Sequence, residues 1–204
     1  MTTTVLLARH GQTESNVSGF YMGRSNEDLN DVGYAQVRSL SSRLAGMPIA
    51  SVYTSPIQRA YITAMILAKP HNLEVKVLDD LIEIQLGDWQ GLHLNEISQR
   101  WPELWQQWRT DPAECTIPNG ESFKQVTERA TRAFEAVAAA EQGGQAVIVT
   151  HEIVIKVLVS HVLGVPNSIY RRFEINNASL SMVRLINGKT RLITLNDTSH
   201  LEGL

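Results

Sequence analysis

The chain has 204 residues, of which 43% are hydrophobic and 19% are charged, a composition typical of a globular protein that buries a sizeable core. Its 18 basic and 21 acidic residues give a net charge of −3 at pH 7, so no bulk positive field favours nucleic acid or an anionic membrane. The single cysteine, Cys115, excludes an intrachain disulfide and a Cys-rich zinc site, and we expect it to be a small buried apolar group.

The first half of the chain alternates between strand-like and helix-like segments. In chain order, the predicted elements are a buried strand at 4–8, a helix from 30 to 46, a strand at 49–54, a helix opened by Ser55-Pro56 with proline at its first position, and a strand at 73–78. Asn30 and Asp31 are suitable N-caps for the first helix, and Gly46 is its expected stop. A loop is expected after the first strand.

An irregular segment then interrupts the alternation, from about Asp79 to Glu121. It contains all four tryptophans of the chain, Trp89, Trp101, Trp105 and Trp108. We interpret these indoles as the packing of a helical lid onto the main sheet, rather than as stacking surfaces for sugars or bases. The lid is expected to form a subdomain at roughly 79–121 within a single domain spanning 1–204.

The last part of the chain returns to alternating elements. A helix is predicted from about 121 to 142, a buried strand at 146–150, an apolar helix at 152–163, and two strands flanking the hairpin signal Asn187-Gly188. Together the elements predict a three-layer α/β fold. Its sheet is mostly parallel, with helices on both faces and at least one antiparallel strand from the C-terminal hairpin.

Cationic and imidazole side chains follow the predicted strands closely. Arg9 and His10 follow the first strand, Arg59 lies on the helix after the second, and His151 follows strand 146–150. The carboxyl ends of parallel strands meet at one edge of a sheet, so these side chains are expected to converge. Two guanidiniums suit phosphate, and a histidine beside them suggests phosphoryl transfer. Since the chain has neither a GxxxxGK[ST] nor a GxGxxG motif, side chains must hold the phosphate.

With these residues in place, the sequence resembles the histidine phosphatase superfamily, which includes the cofactor-dependent phosphoglycerate mutases. The resemblance rests first on Arg9-His10-Gly11-Gln12-Thr13 with Asn16, and on Ser55-Pro56 with Arg59-Ala60. Further similar segments span almost the whole chain: Asp28-Leu29 through Gly33 and Gln36, Leu81-Ile82-Glu83 with Gly87, Trp89 and Gly91, Gly120-Glu121-Ser122, His151, and Asn196-Asp197 with His200-Leu201.

The resemblance implies a role for each candidate catalytic residue. His10 corresponds to the nucleophile that forms a phosphohistidine, while Arg9, Arg59 and His151 would neutralise the phosphoryl oxygens. Glu83 corresponds to the acid/base, which needs a raised pKa to be protonated near neutral pH. Such a cationic cluster can replace a metal, so we expect neither a metal nor a cofactor. Glu74, Glu96 and Glu121 are lesser candidates for the acid/base.

The substrate side of the site is less defined by the resemblance. Asn16 and the loop around Gly23 resemble substrate-contacting positions. Glu152 stands where many relatives place glycine, and two orientations are open for it. If the carboxylate of Glu152 points into the pocket, it would favour a neutral or cationic leaving group. If the side chain points away, only the backbone N–H of residue 152 faces the phosphate, and we favour this second orientation. His71, His93 and His161 lie outside every motif and are expected to be structural, whereas His200 is left undecided.

Several features bear on the branch of the superfamily. The chain is shorter than the mutases of the family, which favours a phosphatase. Residues 118–122 and 196–201 resemble the branch of α-ribazole phosphatase, broad-specificity phosphatase and metal-independent phosphoserine phosphatase. Leu86, however, replaces a substrate-selecting histidine of the phosphoserine enzyme, and Met22 replaces a glutamine found in many relatives. Specificity for phosphoserine is therefore in doubt.

The expected function is a metal-independent phosphomonoesterase that acts on a small phosphorylated metabolite, with a homodimer as an open option. One alternative is a phosphoglycerate mutase, which would need priming by bisphosphoglycerate. A second is a non-catalytic phosphate-binding protein. A third is a zinc hydrolase with His10, Glu83 and His151 as ligands, against which the neighbouring arginines argue because they would repel the metal.

Overall fold

A six-stranded sheet runs through the centre of the protein, whose computed structural model describes residues 1–204. Its strands are β1 (Thr2–Arg9), β2 (Ser51–Thr54), β3 (Val75–Val77), β4 (Gln145–Thr150), β5 (Leu180–Ile186) and β6 (Lys189–Asp197). They lie in the order β3-β2-β4-β1-β5-β6. The first four are parallel to one another, whereas β5 is antiparallel to β1 and to β6. The predicted mostly parallel sheet with an antiparallel C-terminal hairpin is confirmed.

Helices cover both faces of this sheet. They are α1 (Glu14–Ser18), α2 (Asp31–Leu44), α3 (Gln58–Ala68), α4 (Leu94–Arg100), α5 (Pro102–Thr110), α6 (Phe123–Ala140) and α7 (Glu152–Leu163). Successive side chains of a strand point to opposite faces, so Leu6 packs with α2 and α3 while Leu7 belongs to the core formed with α6 and α7. The predicted three-layer arrangement is confirmed. None of the helices combines the length and apolarity needed to cross a bilayer.

Five local features differ from the sequence prediction. The loop after β1 contains the short helix α1, which the sequence analysis did not predict. Helix α3 begins at Gln58 rather than at Pro56, because Ile57 still has an extended backbone (φ −70°, ψ 134°) and acts as the N-cap. Helix α2 ends at Leu44 and is capped by Ala45, two residues before the predicted end at Gly46. Strand β3 and helix α6 are also shorter than their predicted ranges.

The tryptophans of the irregular segment pack mainly against one another. Trp89 is fully buried, and its ring centroid lies 5.6 Å from that of Trp108 and 6.0 Å from that of Trp105. Trp108 in turn contacts Phe123 of α6, with ring centroids 5.8 Å apart. Residues of this segment and of the sheet share one hydrophobic cluster, which includes the buried Cys115. The interpretation of these indoles as packing is therefore confirmed for Trp89 and Trp108, and Cys115 is buried as expected.

Candidate active site

Strand pairing brings the two candidate histidines to the same edge of the sheet. Arg9 at the end of β1 lies opposite Thr150 at the end of β4, and the His10 backbone N–H donates to the Thr150 carbonyl at 3.1 Å. His10 and His151 are therefore the first residues beyond two neighbouring strands. Their ring centroids are 5.2 Å apart. The predicted convergence follows directly from the parallel register.

Two glycines let the loop after β1 pack tightly against α2. A Cβ at Gly11 would lie 2.7 Å from the Gly33 carbonyl oxygen, and a Cβ at Gly33 would lie 2.1 Å from the Gln12 carbonyl oxygen. Both distances are too short for a side chain at either position. Asn30 caps α2, since its side-chain oxygen accepts from the Gly33 N–H at 2.8 Å. The predicted cap at Asn30 is confirmed. This close approach of loop and helix fixes the backbone on which His10 is placed.

His10 is held as a neutral imidazole with one free electron pair in a defined direction. Its Nδ1 lies 2.7 Å from the Gly11 carbonyl oxygen, which can only accept, so Nδ1 carries the proton. Nε2 then accepts from the Nε–H of Arg59 at 3.2 Å. Burial, followed by the charges of Arg59 and Arg9, holds the pKa of His10 well below its ordinary value. Nε2 is thus available as a nucleophile at neutral pH.

Arg59 connects His10 to the loop that follows α1. Besides Nε, its Nη1 donates to the Ser25 carbonyl at 2.9 Å and its Nη2 donates to the Gly23 carbonyl at 2.7 Å. The residue is only 5% exposed, so this charge acts with little screening by solvent. Its remaining N–H bonds are left for an anion. Gly23 contributes to the site through its backbone carbonyl, which accepts from Arg59.

Arg9 is shared between the site and Glu152. Its Nη1 donates to the Ile175 carbonyl at 2.5 Å and lies 3.2 Å from Oε2 of Glu152. The other carboxylate oxygen of Glu152 pairs with the buried Lys156 at 3.0 Å. Arg9 Nε is buried without a protein partner. The Glu152 side chain is thus held between two cations and the residue lines the cavity, while the expectation that its carboxylate turns away from a bound phosphate stays a prediction.

His151 lies at the start of α7 and is fully buried. Its Nε2 lies 2.7 Å from the Ser55 hydroxyl, and its Nδ1 is buried without a partner. Burial, with the nearby charges of Arg59, His10 and Arg9, holds the pKa of His151 well below its ordinary value. His151 is also the N-cap of a 12-residue helix, whose first-turn N–H groups and dipole favour an anion at that end.

Glu83 is the buried carboxyl group of the cavity. It is 9% exposed, and its Oε1 accepts from the Ile84 N–H at 2.8 Å. Burial raises the pKa of Glu83 above its ordinary value, although the Ile84 N–H and the charge of Arg59 oppose that shift. The group therefore combines the raised pKa and the location expected of a proton donor.

A cavity of about 280 Å³ joins these groups except His151, which is fully buried and does not line it. Arg9, His10, Arg59, Glu83 and Glu152 form its charged or titratable floor and walls. Its apolar wall is formed by residues from five segments, namely Phe20, Tyr21, Met22, Ile84, Leu86, Trp108, Ile153 and Tyr170. One cavity thus combines a charged part with an apolar wall, an arrangement common in sites for small molecules.

Asn16 also lines this cavity and has a partner that sequence reasoning missed. Its Oδ1 accepts from Nδ2 of Asn177 at 2.9 Å, and the same Nδ2 lies 3.2 Å from the His10 carbonyl oxygen. Arg171 was missed as well; it lies at the cavity and donates to the Trp108 carbonyl at 2.9 Å. Neither Asn177 nor Arg171 stands directly after a predicted strand or within a motif, so nothing in the sequence indicated that they belong to the site.

The histidines outside the motifs do not line the cavity. His93 caps α4 by accepting from the Asn95 N–H at 3.1 Å, and His161 lies 3.8 Å from Glu135. His200, which was undecided, lies 3.0 Å from the Ala178 carbonyl oxygen and contacts Arg43. No three His, Cys, Asp or Glu side chains converge in an arrangement that could hold a metal ion.

The fold and site describe an α/β protein with imidazoles and guanidiniums gathered at the carboxyl edge of a parallel sheet. Residues 5–198 match the histidine phosphatase superfamily (branch 1). The chain belongs to that superfamily, in agreement with the resemblance found in its motifs.

Among similar proteins, the bifunctional protein Rv2228c of Mycobacterium tuberculosis is 38% identical over 201 residues, which are 98% of this chain but 55% of that protein. The chain thus spans about half the length of this and two further mycobacterial relatives. Phosphoserine phosphatase 1 of Hydrogenobacter thermophilus is 32% identical over 197 residues, covering 97% of this chain and 93% of that protein. The solved structure of Bacillus stearothermophilus YhfR superimposes with a TM-score of 0.95 at 29% identity, covering 98% and 100% of the two chains.

Proposed function

We propose that the protein is a phosphomonoester hydrolase that transfers the phosphoryl group of a small metabolite to His10 and then to water, without a metal. The observation that carries this proposal is the state of His10. Its ring is neutral, its Nδ1 proton is held by the Gly11 carbonyl, and its Nε2 lies next to the guanidinium of Arg59. Family membership supports the same reaction class.

The reaction divides into two displacements at phosphorus. In the first, Nε2 of His10 forms a bond to phosphorus while the ester P–O bond breaks, and the protonated Glu83 gives its proton to the departing oxygen. In the second, the Glu83 carboxylate takes a proton from water as the water oxygen attacks phosphorus and the P–N bond breaks. Inorganic phosphate leaves, and His10 and Glu83 return to their starting protonation states.

Charge stabilisation would come from the side chains around the phosphoryl oxygens. Phosphoryl transfer depends mainly on positioning and on neutralising the oxygens, and both tasks suit buried guanidiniums. Arg59 is fixed by three hydrogen bonds, to His10, Gly23 and Ser25, and so needs little reorganisation when a phosphate binds. His151 and the N-terminus of α7 would add donors on the opposite side.

The proposed substrate is a small phosphomonoester. The cavity of about 280 Å³ favours a leaving group no larger than a simple metabolite. A relative named phosphoserine phosphatase 1 supports this size class. Phosphoserine itself is not favoured, because the apolar Leu86 lines the cavity at the position where that enzyme type has a selecting histidine.

The direct test is hydrolysis of p-nitrophenyl phosphate in the presence of EDTA, comparing the wild type with His10→Ala. His161→Ala is the matched control, because His161 is exposed and outside the cavity. We expect the wild type and the control to remain active with EDTA and His10→Ala to be inactive. Loss of activity with EDTA and recovery with added zinc would contradict a metal-independent reaction, and an active His10→Ala would contradict the nucleophile.

The same preparation separates the alternatives. Phosphorylation of His10 by bisphosphoglycerate without net hydrolysis would indicate a phosphoglycerate mutase. Binding of inorganic phosphate without any phosphorylation of the protein would indicate a non-catalytic phosphate-binding protein. The hydrolase hypothesis predicts that phosphate is released from the monoester without priming by bisphosphoglycerate.

A further inference from the structure

The segment that carries Glu83 has no strand or helix of its own. Residues 83–86 lie between two short 3-10 turns, yet Glu83 and Ile84 are buried. A buried irregular segment needs partners for its backbone polar groups, because an unpaired buried carbonyl is destabilising. The partners of this segment identify what holds the proposed acid in place.

Two arginines from distant parts of the chain bind the carbonyls around Glu83. Nη1 of Arg129, on α6, donates to the Asp80 carbonyl at 2.8 Å and also to that of Ile82. Nε of Arg24 donates to the carbonyl of Glu83 itself at 3.0 Å. The backbone on both sides of the carboxyl group is thus fixed by side chains rather than by a sheet.

Glu121 joins these two arginines. Its oxygens accept from Nε of Arg129 at 2.8 Å and from Nη2 at 2.9 Å, a bidentate pair in which the side chains are only 13% and 9% exposed. One of the same oxygens pairs with Arg24 at 3.0 Å and accepts from the Gln85 N–H at 3.3 Å. Glu121 is therefore the common partner of the two arginines, while the Thr150 hydroxyl of β4 separately donates to the Leu81 carbonyl at 2.6 Å.

Arg24 also links this network to the phosphate side of the cavity. It lies between Gly23 and Ser25, whose carbonyls accept from Arg59. Because Arg59 holds the backbone of this loop through those two carbonyls, the loop keeps its contacts with Arg59 when the Arg24 side chain loses its partner. A buried ion pair is weak support for stability but can specify one geometry among several.

We infer that Glu121 is a positioning residue for Glu83, acting through Arg129 and Arg24 on the backbone of the proposed acid/base. This inference rests on the proposed function. Without the carboxylate of Glu121, Arg24 and Arg129 lose their common anchor, and the backbone at Ile82 and Glu83, which lies beyond the Thr150 contact to Leu81, is held less firmly relative to His10. The proton transfer to the leaving oxygen then suffers, while the phosphate site formed by the ends of the strands is retained.

The test compares two aromatic substrates that differ in their need for a proton. Benzyl phosphate releases an alkoxide that must be protonated, whereas p-nitrophenyl phosphate releases a stable phenolate. In Glu121→Gln we expect kcat/KM for benzyl phosphate to fall about 30-fold, and that for p-nitrophenyl phosphate to fall less than about threefold. Inhibition by inorganic phosphate should be unchanged. Equal losses on both substrates would indicate a general structural role and would overturn the inference.

Control variants keep the test decisive. Glu128→Gln changes an exposed carboxylate of α6 and should match the wild type on both substrates. If Glu121→Gln fails to fold, Arg24→Gln removes a single link of the network, from a side chain that is 30% exposed, and should show the same selective loss. The double variant with Arg24→Gln and Glu121→Gln should lose little more kcat/KM for benzyl phosphate than Glu121→Gln alone, since both residues belong to one hydrogen-bond network. If Glu83→Gln shows no selective loss on benzyl phosphate, the acid role and this inference both fall.

Discussion

The phosphate side and the leaving-group side of the site are built in different ways. His10 and His151 extend directly from β1 and β4, so backbone pairing within the sheet determines where they lie. Glu83 lies on an irregular segment that is held by side chains from other parts of the chain, namely Arg24, Arg129 and Thr150. A sheet fixes its ends through many backbone bonds, whereas the irregular segment depends on a few side chains.

Under the proposed reaction, this difference separates the chemistry common to all phosphomonoesters from the chemistry that depends on the alcohol. Attack on phosphorus requires the same geometry whatever the alcohol, and it is assigned to the rigid sheet edge. Protonation and recognition of the leaving group depend on the alcohol, and they fall to the region rich in loops and tryptophans. The two sides should therefore respond differently to mutation.

The largest effect is expected at Arg59, which contacts the nucleophile and the loop at 23–25. Arg59→Ala removes a buried charge and the donor to Nε2, and kcat/KM should fall about 10³-fold on benzyl and p-nitrophenyl phosphate alike. Arg59→Lys should recover less than about tenfold, because an ammonium cannot reproduce the forked contacts. A variant that stays within tenfold of the wild type would remove Arg59 from the phosphate site.

A smaller and selective effect is expected at Glu83. Glu83→Gln should lower kcat/KM for benzyl phosphate about 10²-fold and that for p-nitrophenyl phosphate much less. Burial raises the pKa of Glu83, and the protonated form is the active one in the first step. The wild-type kcat/KM for benzyl phosphate should therefore fall as pH rises through this raised pKa. An alkaline limb that persists in Glu83→Gln would assign it to another group.

Glu152 should change selectivity more than rate. Its carboxylate shares Arg9 and lies on the cavity wall, with its side chain 32% exposed. Glu152→Gln should raise kcat/KM for 3-phosphoglycerate relative to phosphoethanolamine about fivefold, the size expected for one partly screened charge. Glu128→Gln is the control. An unchanged ratio would show that Lys156 and Arg9 already neutralise Glu152 completely.

Cys115 should have the smallest effect. It is 2% exposed within the tryptophan-rich region, and burial raises the pKa of its thiol to about 11. Cys115→Ala should change kcat/KM less than about twofold and cost about 1 kcal/mol of stability. The wild-type thiol should resist alkylation at about pH 8 until the region opens. Labelling as fast as that of a free thiol would show that this region is not packed as described.

The same contrast explains how much could be predicted from the sequence. Buried strands followed by Arg9, His10 and His151 predict convergence, since the register of parallel strands leaves little choice. Glu83 has no such local signal and was found only through the resemblance to the family. The positions of Arg24 and Arg129 depend on side-chain directions in irregular segments, which periodicity does not encode.

The local errors of the sequence prediction have similar causes. Ser55 and Pro56 suggest the start of a helix, but the Ser55 hydroxyl contacts His151 and the helix begins only at Gln58. The ion pairs of Glu152 were not predicted because one of its partners, Arg9, lies on another element. Helix α1 spans only five residues, too few for a hydrophobic period to be visible.

The central claim is that Nε2 of His10 takes the phosphoryl group. It can be tested by rapid alkaline quenching of the enzyme during turnover, followed by mass spectrometry to locate the phosphate and ³¹P NMR to identify the ring nitrogen. Because the Gly11 carbonyl holds the proton on Nδ1, we predict phosphohistidine at residue 10 with phosphorus on Nε2. Phosphorus on Nδ1, or on any other residue, would contradict the account.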